Sequence, residues 1–513
     1  MSATANSKRP GSAEPSPPVN PWLVLWLVAF GEFMVVLDAT IVNVALPSIK
    51  QDLGFAPGDL QWVVNGYAVL FGGFLLLGGR AGDLFGRRRV FMLGMTLFTG
   101  ASLANVLAGS PEVLVAGRAL QGLGAAMVSP AALSIITSSF PAGAERAKAL
   151  SAWAAIAVGG GGVGLLLGGV LTETLSWEWV FLINIPIGVA TLTLVHRFVP
   201  ESRIPARRGF DLGGAVAVTA AMLVLVYAIV EAAERGWGSA HTLVLLALSA
   251  ALLGAFVAIE RRSAEPLVRL SLFRLRPLAA ANASGLLVAA ALFPLFFFAS
   301  LYMQEVKGFS PIESGAGFLP FTLSVLVGAG LAQRTVRRFD PKAVTLGGIA
   351  LAAAGLAYLS GLERGDSYAA ALLPGLMMVG FGVGNAWVPL TVAATETVGA
   401  DRQGLASGLI NTSQQIGGAL GLAVLSTVAA EHAESRLASM ADPASLAARA
   451  EATVDGFAFA FLAGAALMAT ALFVVLAALR RGDIDVDEPG AVSESDPHPG
   501  LAPLPEAQSA SGR

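Results

Sequence analysis

The chain contains no cysteine, which excludes a disulfide framework and any thiolate metal site. Charge is scarce too. Asp, Glu, Lys and Arg make up 13% of its 513 residues, where a soluble domain carries about 25%. The four histidines, His196, His241, His432 and His498, fall at span ends, in loops or in a tail, without the spacing of metal ligands. No G-x-x-x-x-G-K-[ST] phosphate loop occurs, so ATP-driven work by this chain alone is not expected. GGGGVG at 159–164 is no substitute, because it lies inside an apolar run of helix length and no Lys follows it. No nucleophile–base arrangement stands out, and no enzyme activity is expected. A net charge of −3 offers nothing to a nucleic acid.

What the chain has is apolar length. It is 55% hydrophobic, with a mean hydropathy of +0.70. Runs near the roughly 20 residues needed to cross a bilayer recur along it. Fourteen candidate spans are expected: 22–46, 60–79, 90–108, 112–138, 149–171, 179–197, 212–230, 243–259, 279–301, 312–333, 343–361, 369–391, 404–428 and 455–479. The fold class is therefore an all-α integral membrane protein. An even count puts both termini on one side. The loops on that side hold 20 Lys and Arg, and the opposite loops hold 6. The positive-inside rule makes the terminal side cytoplasmic. Residues 1–20, rich in Ser, Pro and Ala, lack the apolar core of a signal peptide and are expected to be a disordered tail, as is 481–513. Arg outnumbers Lys 27 to 5, and Ala and Gly are abundant, as in proteins of GC-rich bacteria.

Three ionisable residues fall well inside spans: Glu32, Asp38 and Arg118. Each costs about 2.5–3.5 kcal/mol at a helix centre on insertion scales, so each is expected to face a partner or a cavity. At 1.5 Å per residue, Asp38 lies about 6 Å outside the midplane and Arg118 about 10 Å outside it. The two are expected to pair. Glu32 lies about 3 Å inside the midplane and about 120° around the helix from Asp38, so a separate role is expected for it. A buried carboxylate beside an Arg can take up and release a proton as its surroundings change. Coupling to a proton gradient requires such a group. LFPLFFFASLYMQE, 292–305, is either a cavity wall or a packing surface.

Several motifs follow in order. LDATIVNVALP spans 37–47 and contains Asp38 and Asn43. GGRAGDLFGRRR, 78–89, matches a G-x-x-x-D-R-x-G-R-R-like loop at Gly79, Asp83, Gly86, Arg87 and Arg88. RALQGLGAA, 118–126, contains an R-x-x-Q-G motif with Arg118 and Gln121. GGGGVGLLLGG, 159–169, fits G-x-x-x-G-P-x-x-G-G at Gly160, Gly164, Gly168 and Gly169, with Leu165 where Pro is expected. SWEWVFLINIPIG (176–188) and GLASGLINTSQQIGGALG (404–421) complete the set. Over about residues 20–480 the chain resembles the fourteen-helix drug:proton antiporter branch of the major facilitator superfamily.

The resemblance implies two six-helix halves, 21–198 and 279–480, joined by a linker with two extra helices, 199–278. It implies proton coupling through Asp38 and Arg118, with Glu32 as a further candidate. It implies a cytoplasmic gating loop at Gly79, Asp83, Gly86, Arg87 and Arg88, and helix packing or gating at Gly160, Gly164, Gly168 and Gly169. Asn43, Gln121, Asn411, Gln414 and Gln415 are candidate cavity contacts. The implied partners are a small amphipathic organic substrate, protons and the lipid bilayer, for a monomer in a bacterial plasma membrane that uses the proton gradient and no cofactor or metal. AQRTVRRFDPK, 332–342, echoes the gating loop and hints at an internal repeat. Two other readings share these features: a proton-symport importer of a metabolite, and a non-transporting receptor or scaffold.

Overall fold

The structure is a computed structural model. It describes residues 20–480 except 57, 142–143, 203–210, 264–265, 267, 269, 337 and 397–402. The two tails, and the side chain of Asp83, lie outside the described residues.

The described residues form helices and short connections, with no strand. Among the described residues, thirteen helices are long and apolar enough to cross a membrane. The fifth, Ala144–Thr174, has the length of a fourteenth at 31 residues. Numbered along the chain they are α1 (Pro21–Leu53), α2 (Trp62–Phe85), α3 (Arg87–Val106), α4 (Pro111–Ser139), α5 (Ala144–Thr174), α6 (Trp179–Phe198), α7 (Leu212–Arg235), α8 (Ala240–Arg262), α9 (Arg276–Val306), α10 (Pro311–Thr335), α11 (Pro341–Leu359), α12 (Tyr368–Ala393), α13 (Gln403–Ala438) and α14 (Leu446–Ala478). Local chemistry sets their ends. Pro opens α1, α4, α9, α10 and α11, where a missing N–H costs nothing. Asn20, Asp211, Ser239, Ser310, Asp340 and Ser445 cap with side-chain oxygens.

Helices α1–α6 pack together, as do α9–α14, and α7 lies against α2 and α13. α8 packs on α7, and only 11% of its apolar window is buried, so it presents its length to lipid. The repeat is visible in one detail. At the start of α3, Arg88 Nη1 donates to the Val199 carbonyl just past the end of α6 (3.1 Å). At the start of α11, Lys342 Nζ donates to the Leu476 and Leu479 carbonyls at the end of α14. In each half, the last helix is capped by a cation from the third.

The halves meet along α2–α13, α1–α9 and α5–α10. At the end opposite the termini the seam is polar. Lys50 Nζ pairs with Glu305 (2.8 Å), and Ile312 N–H donates to Glu173 (2.9 Å). Pro47, inside α1, has no N–H for the Asn43 carbonyl four residues back. Ser300 Oγ, from the other half, donates to that carbonyl instead (2.8 Å), and Gln304 donates to the next one, Val44 (2.9 Å). A Cβ on Gly169 would meet Pro311 O at 2.3 Å and one on Gly162 would meet Thr322 at 2.5 Å, whereas Gly159 and Gly330 have open space.

Candidate functional site

Asp38 is fully buried on α1, seven residues beyond Gly31, the residue that lets α1 press onto Phe91 and Met95 of α3. Its carboxylate takes three donors. Arg118 Nη1 of α4 reaches Oδ2 at 2.5 Å. Gln121 Nε2 and Asn184 Nδ2 reach Oδ1 at 3.1 and 2.7 Å. Arg118 is held from every side: its Nε donates to the Val63 carbonyl (3.0 Å), Nη1 also donates to Gln121 Oε1 (2.8 Å), and the rings of Tyr67 and Phe181 lie 4.5 and 5.8 Å from the guanidinium carbon. Gln121 is fixed in turn by Asn105 (2.6 Å) and Ser102 (2.7 Å) of α3. Charge-assisted bonds in so dry a place are strong, and breaking one partner away is costly.

Glu32 sits apart from this cluster. Both its oxygens accept from Ser129 Oγ of α4, at 2.6 and 2.7 Å. The partners of the two carboxylates therefore differ. Yet both face α4, which the 120° separation on α1 did not anticipate. Helix α4 runs antiparallel to α1 and wraps past it, meeting Asp38 with Arg118 and Glu32 with Ser129.

The 78–89 loop turns at Gly86, whose φ of +107° favours glycine. The backbone N–H groups of Arg88 and Arg89 then donate to the two oxygens of Glu201 (3.1 and 3.2 Å), an anion at a helix N-terminus. Arg87 donates to the Ser134 carbonyl of α4 (3.2 Å). These bonds anchor the loop within its own half. At Gly79 an added Cβ would make an ordinary contact, 3.4 Å from Pro130. At its neighbour Gly78 an added Cβ would collide with the Ala126 carbonyl. Gly79→Ala is expected to express and melt like the parent protein. Gly78→Ala will lose about 1–3 kcal/mol by overpacking, read as a lower melting temperature in detergent.

The model for the Major Facilitator Superfamily matches residues 28–422. The chain belongs to that superfamily. The cephamycin export protein CmcT of Amycolatopsis lactamdurans is 43% identical over 408 residues, 79% of this chain and 84% of that one. The puromycin resistance protein pur8 of Streptomyces alboniger is 38% identical over 484 residues, 93% and 95% of the two chains. Among solved structures, a D-xylose-proton symporter aligns with a TM-score of 0.62 at 15% identity, over 90% of this chain and 98% of the other. The human organic anion transporter MFSD10 aligns at 0.60 and 17%, over 90% and 100%. At such identities these two speak for the fold alone.

Within the superfamily fold the remaining expectations divide. Gly160, Gly164 and Gly168 pack α5 on α1, against Phe33, Thr40 and Ile41, while Gly169 packs it on α10 of the other half. Gln121 is fully buried in the Asp38 cluster, and the Asn43 amide bonds back to Ala39 and Thr40 while its carbonyl joins the seam. Gln414 lines a niche with Gly285, Trp387 and Thr391. Gln415 packs against Gly72 of α2, and Asn411 is exposed. The 292–305 stretch packs: Phe298 meets Phe457 tilted and Phe461 of α14 edge-on, and Phe296 meets Phe318 tilted and Phe321 of α10 edge-on. The sequence reading missed Asn184, Ser129 and Glu201 as partners. A lone Asn in the apolar run WVFLINIPIG was the visible signal for the first.

Proposed function

We propose that the chain is a proton-driven exporter of small amphipathic organic molecules of the antibiotic class. It works as a monomer in a bacterial plasma membrane, with both termini cytoplasmic and no cofactor. The observation that carries this reading is the fully buried Asp38–Arg118 pair, a charge in the bilayer core with no structural need that an apolar pair would not meet. The export and resistance proteins among its relatives supply the substrate class and the direction.

In this orientation the polar seam is the closed outer gate, and the site is reached from the inside. Charged, paired Asp38 is then the state after a proton has left to the inside. Drug enters the inner opening, and the halves rock to open outward. A proton from outside neutralises Asp38 and loosens Arg118. The return stroke leaves the drug outside. Helix α1 links the two events, because Asp38 lies about 7.5 Å along it from the Asn43 carbonyl in the seam.

Inside-out vesicles loaded with the purified protein test the scheme. An acid interior should drive uptake of a member of a panel of amphipathic antibiotics, puromycin included, and a protonophore should abolish it. Gradient-driven movement of a metabolite in the opposite direction would establish the symport importer instead. No gradient-dependent flux of any compound would leave the receptor or scaffold.

A further inference from the structure

The Asp38 cluster is built from donors. Arg118 can only donate. Gln121 has its oxygen taken by Arg118 and Asn105, and its nitrogen shared between Asp38 and Ser102. Such a shell suits a charged carboxylate and offers nothing to a neutral one, whose O–H needs an acceptor. A proton carrier must be satisfied in both states, or it will stay charged.

One acceptor beside it is idle. Asn184 is fully buried at the break where α6 begins its main run, after Ile183. Its Nδ2 donates to Asp38, while its Oδ1, buried in the same place, has no partner. An orphaned buried acceptor is rare and costly. We infer that Asn184 serves both protonation states of Asp38: its amide donates to the carboxylate, and on protonation it turns about its last torsion so that Oδ1 accepts the new Asp38 O–H. The proton that arrives forms the O–H bond on Asp38. No other bond is made or broken. The charged or titratable groups facing this place are Arg118 from α4, Tyr67 from α2 and Glu32 on α1 itself. Helices α3 and α6 bring only amides and hydroxyls.

This inference rests on the reading of Asp38 as the proton carrier, and the tests separate the two. In purified protein, infrared difference spectra on acidification should show a protonated-carboxyl band that vanishes in Asp38→Asn. In Asn184→Leu the band should move to higher wavenumber, because the neutral acid has lost its acceptor. In Asn184→Ser, whose hydroxyl both donates and accepts, it should stay near its original place. An unmoved band in Asn184→Leu, with Asp38→Asn still silent, overturns the role of Asn184 alone. The same band surviving in Asp38→Asn, with Glu32→Gln in the background to silence the neighbouring buried carboxyl, overturns both. If Asn184→Leu does not fold, Asn184→Ser decides: a band moved as far as removal of all partners would move it rules the shared role out.

Discussion

Asp38→Asn will bring gradient-driven efflux down to the level of vesicles that lack the protein. The amide keeps the shape and can still accept from Arg118, but it cannot carry a proton. It also leaves the Arg118 guanidinium buried without a counter-charge. Breaking a buried pair from one side costs about 3–5 kcal/mol, so a loss of stability accompanies the loss of function and confuses it. The double variant Asp38→Asn with Arg118→Gln separates the two. With both charges gone, the burial penalty goes as well, and the protein should melt within a few degrees of the parent. It should still not pump. Neighbouring changes of this kind are far from additive. A double variant that melts normally and drives pH-dependent efflux would end the case for Asp38 as the proton carrier.

The pairing at the centre of that prediction was legible from the sequence because it depends on depth alone. Helix rise and span ends place Asp38 and Arg118 at similar heights, and a long side chain covers the rest. What depends on rotation about a helix axis was less accessible. Glu32 and Asp38 lie on different parts of the α1 surface, yet both meet α4, through the long Arg118 side chain at one level and Ser129 at the other. Gln121 belongs to a visible motif, but only packing shows that it braces the ion pair. Partners supplied by distant segments were the hardest to see. Asn184 comes 146 residues after Asp38. Glu201 reaches the α3 N-terminus from beyond α6. No periodicity links such residues, and each became visible only when the helices were set side by side.

Rotation also separates two adjacent glycines that the motif treats alike. Gly168 faces α1 of its own half, where an added Cβ would meet the Ile41 carbonyl at 2.5 Å. Backbone cannot step aside, so Gly168→Ala should loosen the α1–α5 contact on which the first half is built. It is expected to lower the melting temperature and yield sharply, by the few kcal/mol typical of overpacking. Gly169 faces the other half, where the obstacle is the Pro311 carbonyl at 2.3 Å. There the strain has an outlet that leaves each half intact, namely opening of the seam. Gly169→Ala should therefore melt like the parent and populate the arrangement that is open at the seam. Because the chain has no cysteine, a single introduced pair can report this without background. Lys50→Cys with Glu305→Cys replaces the ion pair that closes the seam, and its oxidative cross-linking measures how often that end is shut. The cross-linked fraction should fall several-fold when Gly169→Ala is added and should change little, per folded molecule, with Gly168→Ala. Equal cross-linking in both backgrounds would mean that the α5–α10 contact does not govern the gate. The seam would then have to be held closed by α1 and α9, through the Asn43 carbonyl that Pro47 leaves without a helical donor.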